Sequence, residues 1–195
     1  MLFDLGNVLV RYDPQEYRKV FPHLGIDPLK EAVQRLRVSA DQFESGRMSS
    51  EEFRRTVGPT LDRRRTQSEF DADFCAVLPG PIEGMDDIVR RVSAICETAL
   101  VSNTNPIHFR HCLKVVPALR FLRRFHLSYL LGSPKPHTDF YSGAIRSEGG
   151  DPGGLVFIDD IAENVSAARE AGMQGILFTD ASALERQLHP FLPGL

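Results

Sequence analysis

The feature that most constrains this chain is a series of short apolar runs, each followed at once by polar residues and separated from the next by a helical pattern. The clearest is Leu155-Val156-Phe157-Ile158, bounded by Gly153-Gly154 and by Asp159-Asp160. Four apolar residues between turn signals are too few for a helix and read as a buried strand. Thr98-Ala99-Leu100-Val101, residues 127 to 131 and Gly175-Ile176-Leu177-Phe178 read the same way, and Leu2-Phe3 opens the series. Helical spacing fills 82–94, 105–115, 140–146, 161–171 (ended by Gly172, a favoured C-terminal cap) and 181–189. Strands alternating with helices imply an α/β fold, a Rossmann-like parallel sheet with helices on both faces.

Residues 13–80 break that alternation and read as almost wholly helical. Asp13-Pro14 and Asp27-Pro28 are helix starts, Ser49 to Glu52 is a capping box, and a further helix is expected over 68–77. Pro79-Gly80-Pro81 then punctuates the chain. The expected organisation is a core domain of residues 1–12 and 81–195, with a small all-helical cap domain, 13–80, inserted after strand one.

With 195 residues, 42% hydrophobic and 25% charged, the chain has material for one substantial core. A net charge of −3 provides no field to draw in nucleic acid or anionic lipid. The basic clusters at Arg63-Arg64-Arg65 and Arg123-Arg124 read as solvated helix faces. Cys75, Cys96 and Cys112 are far apart without CxxC pairing, which points to a reducing setting. No apolar run approaches the ~20 residues of a membrane span, and Asp4 interrupts any signal-peptide pattern. A cytoplasmic protein, monomer or homodimer, without a nucleic-acid or membrane partner, is expected.

In open parallel sheets, ligands bind outside the carboxyl ends of the strands. The strands deliver there Asp4, then Ser102-Asn103-Thr104-Asn105, then Gly132-Ser133-Pro134-Lys135-Pro136, then Asp159-Asp160. Singly, these are ordinary turn and cap residues. Together they make a phosphoryl-transfer set. A carboxylate attacks phosphorus, splitting one hard displacement into two easier ones. Carboxylates hold Mg²⁺, a hard cation preferring oxygen, and a lysine neutralises charge on phosphoryl oxygens. Ser102 and Asn103 offer hydrogen bonds to a phosphoryl oxygen.

These residues resemble the haloacid dehalogenase superfamily across the whole chain. Phe3-Asp4-Leu5-Gly6-Asn7-Val8-Leu9 is similar to its first motif, Val101-Ser102-Asn103-Thr104-Asn105 to its second, Gly132-Ser133-Pro134-Lys135-Pro136 to its third, and Phe157-Ile158-Asp159-Asp160-Ile161-Ala162-Glu163-Asn164 to its fourth. Within it the chain most resembles sugar-1-phosphate phosphatases and the phosphatase half of epoxide hydrolases, which carry a small helical cap after the first strand. The resemblance implies a Mg²⁺-dependent phosphatase acting on a small phosphorylated metabolite. Asp4 would be nucleophile and metal ligand, Gly6 would offer its carbonyl to the metal, and Asp160 would be the acidic metal ligand. Ser102 and Asn103 would bind the phosphoryl group and Lys135 would bridge it to the nucleophile, with Asp159 and Asn164 in support. Family caps place specificity residues in loops such as Phe43-Glu44-Ser45-Gly46-Arg47, which makes Arg47 a candidate substrate contact.

The chain departs from the pattern at Gly6, where most phosphatases of the superfamily carry an aspartate acting as general acid and base. Loss of a positioned acid costs about 10²–10⁴ in rate, roughly 3–5 kcal/mol. Better leaving groups suffer less, so sugar 1-phosphates or acyl phosphates are the expected substrates. Two other functions stay open: a catalytically weak binding or regulatory protein that keeps the pocket, and a 2-haloacid dehalogenase, against which the acidic pair argues. Only Met1, Leu2 and Phe3 precede Asp4, so a short first strand, or a longer natural N-terminus, is expected. His108, His111 and Cys112 read as helix surface and core rather than a metal site.

Overall fold

The computed structural model describes residues 1–20, 34, 38–61 and 66–192. The expected helix start at Asp27-Pro28 and the arginines at 63–65 lie outside the described residues. Five strands, β1 (Leu2–Phe3), β2 (Ala99–Ser102), β3 (Arg124–Leu127), β4 (Val156–Asp159) and β5 (Gln174–Leu177), form one parallel sheet in the order β3-β2-β1-β4-β5. The chain fills one side of β1 with β2 and β3, then returns to the other side with β4 and β5. The switch point therefore falls at the carboxyl end of β1.

Side chains alternate between two buried faces. Leu2, Ala99, Val101 and Phe157 point to a cluster with Phe140, Tyr141 and Ala168, which belong to α8 (Thr138–Ser147) and α9 (Ala162–Glu170). Phe3, Leu100, Val156 and Ile158 point to the opposite cluster with Ile88, Val89, Ile107 and Leu184. These come from α5 (Met85–Ser93), α6 (Pro106–Val115) and α10 (Ala181–Leu188). Burial on both faces is why the strands read as continuous apolar runs rather than alternating ones.

Between β1 and α5 the described chain contributes α1 (Tyr17–Val20), α2 (residues 38–44), α3 (Ser50–Leu61) and α4 (Gln67–Phe74). Local chemistry sets their starts. The Asp13 side chain accepts from the Gln15 amide, 2.9 Å, and opens the short 3₁₀ turn Pro14–Glu16 that leads into α1. Ser49 and Glu52 cap one another, with bonds of 2.9 and 3.2 Å. The helix expected from residue 68 starts one residue earlier, because Thr66 and Glu69 form a second capping box, and it passes into a 3₁₀ turn at Cys75–Val77.

These helices pack on the core through aromatic rings. Phe53, fully buried, lies 4.5 Å from Phe43 and 4.8 Å from Phe74. Phe74 in turn stacks on His108 of α6 at 4.1 Å.

The expected strand at 127–131 is corrected. The strand is Arg124–Leu127, and Ser128–Leu131 form one helical turn, α7, closed by Gly132 at φ +75°. Polar strand residues hid the segment. Arg124 and His126 both pair with Glu148, at 2.7 and 2.6 Å. The apolar residues taken for a strand include Leu130, 65% exposed.

Gly46 explains how the turn after α2 meets the core. Its φ is +70°, and a Cβ there would lie 2.3 Å from the backbone oxygen of Tyr129 in α7. Gly46→Ala should therefore destabilise the protein by about 1–3 kcal/mol through strain and forced separation of that loop, read as a lowered urea midpoint with unchanged slope.

Candidate active site

The register of β1 against β4, Phe3 opposite Ile158, sets Asp4 beside Asp159, and the Asp4 amide closes the ladder on the Ile158 carbonyl at 2.9 Å. Both are buried, Asp4 6% and Asp159 0% exposed. Between them lies the ammonium of Lys135, also buried, 2.8 Å from Asp4 Oδ1 and 2.6 Å from Asp159 Oδ2. The third donor position of Lys135 goes to the Val101 carbonyl at 3.1 Å.

Asparagines hold this triad and the neighbouring Asp160. Asn103 accepts from the Lys135 amide at 2.7 Å and donates to the Lys135 carbonyl at 2.9 Å, clamping the loop that carries the lysine to the end of β2. Asn164 of α9 donates to both Asp159 oxygens, 3.0 and 3.2 Å, and the Ile161 amide donates to Oδ1 at 2.8 Å. Asn7 sits at φ +51°, a conformation that asparagine tolerates. It accepts from the Tyr12 amide at 3.0 Å and donates to Asp160 Oδ2 at 3.2 Å.

The three aspartates, 4, 159 and 160, bring ligand atoms within 4.8 Å of one another. Their free valences differ. The oxygens of Asp159 are occupied by Lys135, Asn164 and Ile161, so this residue orients the lysine. Asp4 and Asp160 keep lone pairs facing a cavity of about 240 Å³, also lined by Gly6, Asn7, Tyr12, Glu44, Ser102 and His108. Among the described residues, Lys135 is the one ammonium or guanidinium lining this cavity, against three carboxyl groups.

Burial raises the Asp4 carboxyl to about 6, opposed by Lys135 and reinforced by Asp159. Asp160 is also raised, by burial first, with Asn7 pulling the other way. For Lys135, burial works against the charge, but Asp4 and Asp159 outweigh it and hold the ammonium above the usual lysine value. An excess of hard oxygen donors that resist ionisation is the chemistry a divalent cation relieves. The donor set fits Mg²⁺: the carboxylates of Asp4 and Asp160, with the Gly6 carbonyl adjoining.

Most residues singled out in the sequence meet here. Asp4, Gly6, Ser102, Asn103, Lys135, Asp160 and Asn164 line the cavity, and Asp159 lies beneath it. Ser102 is 1% exposed, with its hydroxyl donating only a long bond to the Asn103 carbonyl, 3.3 Å. Arg47 is exposed and lines an adjoining cleft of about 390 Å³, whose walls share Glu44, Asn103 and Lys135 with the first.

Two cavity residues, Asn7 and Glu44, have no role in the sequence reading, and a third, His108, is read there as helix surface or core. His108, 8% exposed, has both ring nitrogens engaged. Nε2 lies 3.0 Å from the Phe74 carbonyl, which only accepts, so Nε2 carries the proton and Nδ1 accepts from Asn105 at 3.1 Å. Glu44 lies between the buried Phe43 and Ser45, and that flanking is the signal that could have marked it.

A model of haloacid dehalogenase-like hydrolases matches residues 1–172. A doubly wound parallel sheet with this acid and lysine set at its switch point has the form of that class, and the chain belongs to the haloacid dehalogenase-like hydrolase family. It is 23% identical over 182 residues to D-ribitol-5-phosphate phosphatase of Bacteroides thetaiotaomicron, covering 89% of this chain and 88% of that one. It is 26% identical over 189 residues to flavin mononucleotide hydrolase 1 of Arabidopsis thaliana, covering 96% and 75%. Among solved structures, a magnesium complex of a haloacid dehalogenase family enzyme from Bacteroides thetaiotaomicron superposes with a TM-score of 0.82 at 25% identity, covering 95% of this chain and 96% of that one. The α/β expectation and the hydrolase expectation both hold.

Burial holds His108 neutral, with its pKa lowered from 6.5 to about 4. Its contribution to stability is complete above pH 6.5 and is lost as pH falls toward 4, because the unfolded chain takes the proton first. The advantage of wild type over His108→Asn should shrink by on the order of 3 kcal/mol between pH 7 and pH 4, measured as paired urea unfolding at the two pH values.

Proposed function

We propose that this protein is a Mg²⁺-dependent phosphatase of small phosphate monoesters, working through an aspartyl-phosphate on Asp4. The observation that carries this reading is the Lys135 ammonium, fixed 2.8 Å from Asp4 at the floor of a cavity that Asp160 also lines. The two curated relatives bear the names of a phosphatase and a nucleotide hydrolase, and the similar solved structure holds magnesium, which supports the same reading.

In this reading Asp4 uses an oxygen not engaged by Lys135 to attack phosphorus. Lys135 both keeps that carboxylate oriented and meets one phosphoryl oxygen. Ser102 donates its hydroxyl to a second oxygen. Asn103 spends its side chain on the Lys135 backbone, so its share is to hold the lysine. Asp159 and Asn164 do the same from β4 and α9. A bound Mg²⁺, held by Asp4, the Gly6 carbonyl and Asp160, would neutralise charge on the phosphoryl group. The helices of residues 13–80 act as a cap over the strand ends, and Arg47 in the adjoining cleft is placed for a polar part of the substrate. The free cysteines 75, 96 and 112 suit a reducing, cytoplasmic setting.

Gly6 by itself argues for sugar 1-phosphates, whose anomeric oxygen leaves more readily than a primary alkoxide. That preference holds only so far as no other acid faces the cavity. Two measurements test the reading. Asp4→Asn, which keeps the shape and removes the nucleophile, should abolish Mg²⁺-stimulated phosphate release; turnover at the wild-type rate would overturn the assignment. In a panel of hexose 1- and 6-phosphates, faster turnover of the 1-phosphates supports the leaving-group argument, and equal rates remove it.

A further inference from the structure

The helical segment ahead of α3 puts a carboxyl group into the cavity that the family motifs do not account for. Glu44, the last residue of α2, lines the cavity together with Asp4, Gly6 and Lys135. Asp4 and Glu44 border one cavity of about 240 Å³, so an ester seated on Asp4 occupies the space that Glu44 lines. The chain has no acid at position 6, although a Cβ there would meet nothing nearer than Tyr12 Cβ at 4.0 Å. The vacancy is therefore chemical rather than steric.

Glu44 is held in place from three directions. Phe43 beside it is fully buried in the phenylalanine cluster, Ser45 bonds back to the Asp41 carbonyl at 2.6 Å, and Gly46 is seated against Tyr129. Asn105, the cap of α6, acts on this carboxyl group and favours its charged form. The Asn105 amide has no freedom to turn. Its oxygen accepts from the amides of Ile107 and His108, 3.2 and 3.0 Å, and its nitrogen faces His108 Nδ1. The chain Phe74, His108, Asn105 thus fixes the amide that acts on Glu44.

We propose that Glu44 is the catalytic acid and base of this site, supplying from the helical segment what position 6 lacks; this rests on the phosphatase reading above. In the first half-reaction an Asp4 oxygen bonds to phosphorus, the phosphorus–ester oxygen bond breaks, and the leaving oxygen takes the Glu44 proton to depart as an alcohol. In the second, the Glu44 carboxylate takes a proton from water as the water oxygen bonds to phosphorus. The bond from phosphorus to Asp4 breaks, the electron pair returns to the Asp4 carboxylate, and phosphate leaves with Glu44 reprotonated.

The electrostatic setting agrees. Burial, with the nearby carboxylate of Asp41 adding to it, raises Glu44 to about 7, while Asn105 pulls the other way. Such a group exchanges protons near neutrality. The other charged or titratable groups on the two cavities it lines are Asp4, Asp160, Lys135, Tyr12 and neutral His108 on the core side, and Asp41, Arg47 and His137 toward the adjoining cleft.

The test compares wild type, Glu44→Gln and Glu44→Asp with Mg²⁺ on a primary alkyl phosphate and on p-nitrophenyl phosphate, whose leaving group needs no proton. Glu44→Gln keeps the size and shape of the side chain, and circular dichroism checks that the variant folds. Expected for Glu44→Gln is a loss of about 10²–10⁴ in kcat on the alkyl ester. On p-nitrophenyl phosphate it should release one equivalent of p-nitrophenolate in a burst, followed by slow turnover as the phosphorylated enzyme accumulates. Wild-type kcat/KM on the alkyl ester should fall above about pH 7, a limb absent in Glu44→Gln and restored in Glu44→Asp at reduced rate. A Glu44→Gln enzyme that raises KM with kcat held within about tenfold on both substrates, without a burst, would show a binding role and overturn the proposal alone. Wild-type protein with no Mg²⁺-stimulated turnover of either ester would overturn the phosphatase reading together with it.

Discussion

The arrangement of this molecule depends on one buried ammonium. Lys135 stands between Asp4 and Asp159 with the Val101 carbonyl as its third partner. A charge that deep survives only because two carboxylates and a carbonyl replace its water. The reverse is equally true. Asp4 and Asp159, side by side at the ends of two paired strands, would repel each other without it. The ion group therefore ties together the ends of β1 and β4, the loop that leaves α7, and the orientation of the Asp4 carboxyl group. Asn103 and Asn164, neither of them charged, hold that arrangement by bonding the Lys135 backbone and the Asp159 carboxylate.

Much of this was legible in the sequence because the core obeys simple rules. Strands buried on both faces must be apolar throughout, and the residues immediately after them must lie at one edge of the sheet. That is why Asp4, Ser102, Lys135 and Asp160 could be gathered from four separate stretches before any geometry was seen. The family resemblance added roles to positions already collected. What failed was the edge of the sheet. β3 carries Arg124 and His126, whose partner Glu148 lies far along the chain, and no periodicity reveals that a charged side chain is satisfied by a distant one. The adjacent Leu130 and Leu131 then drew the strand into what is a helical turn.

Glu44 and His108 were illegible for a different reason. Each belongs to a local pattern with an ordinary explanation, a surface carboxylate on a helix and a histidine in a helical run. Their significance is tertiary. Phe74 stacks on His108 and also receives its proton, and Tyr17 donates to the same Phe74 carbonyl at 3.1 Å. Asn105 is at once the cap of α6 and the partner of His108 Nδ1. The helical segment and the sheet thus share one hydrophobic cluster and one hydrogen-bond relay, and neither is visible until the segment is folded onto the core.

That sharing bears on how position 6 came to tolerate glycine. An acid on the loop after β1 is anchored to the same rigid element as the nucleophile, so it is in place whatever the helices do. An acid on α2 is in place only when the helical segment is seated, because Phe43, Gly46 and Asn105 all contribute to holding it. Proton transfer would then depend on the seating of the helical segment on the core. The placement of the acid at one position or the other is in this sense a choice between a site carried wholly by the sheet and one completed by the helical segment. In this chain, the buried flanks of Glu44 and the fixed amide of Asn105 favour the second.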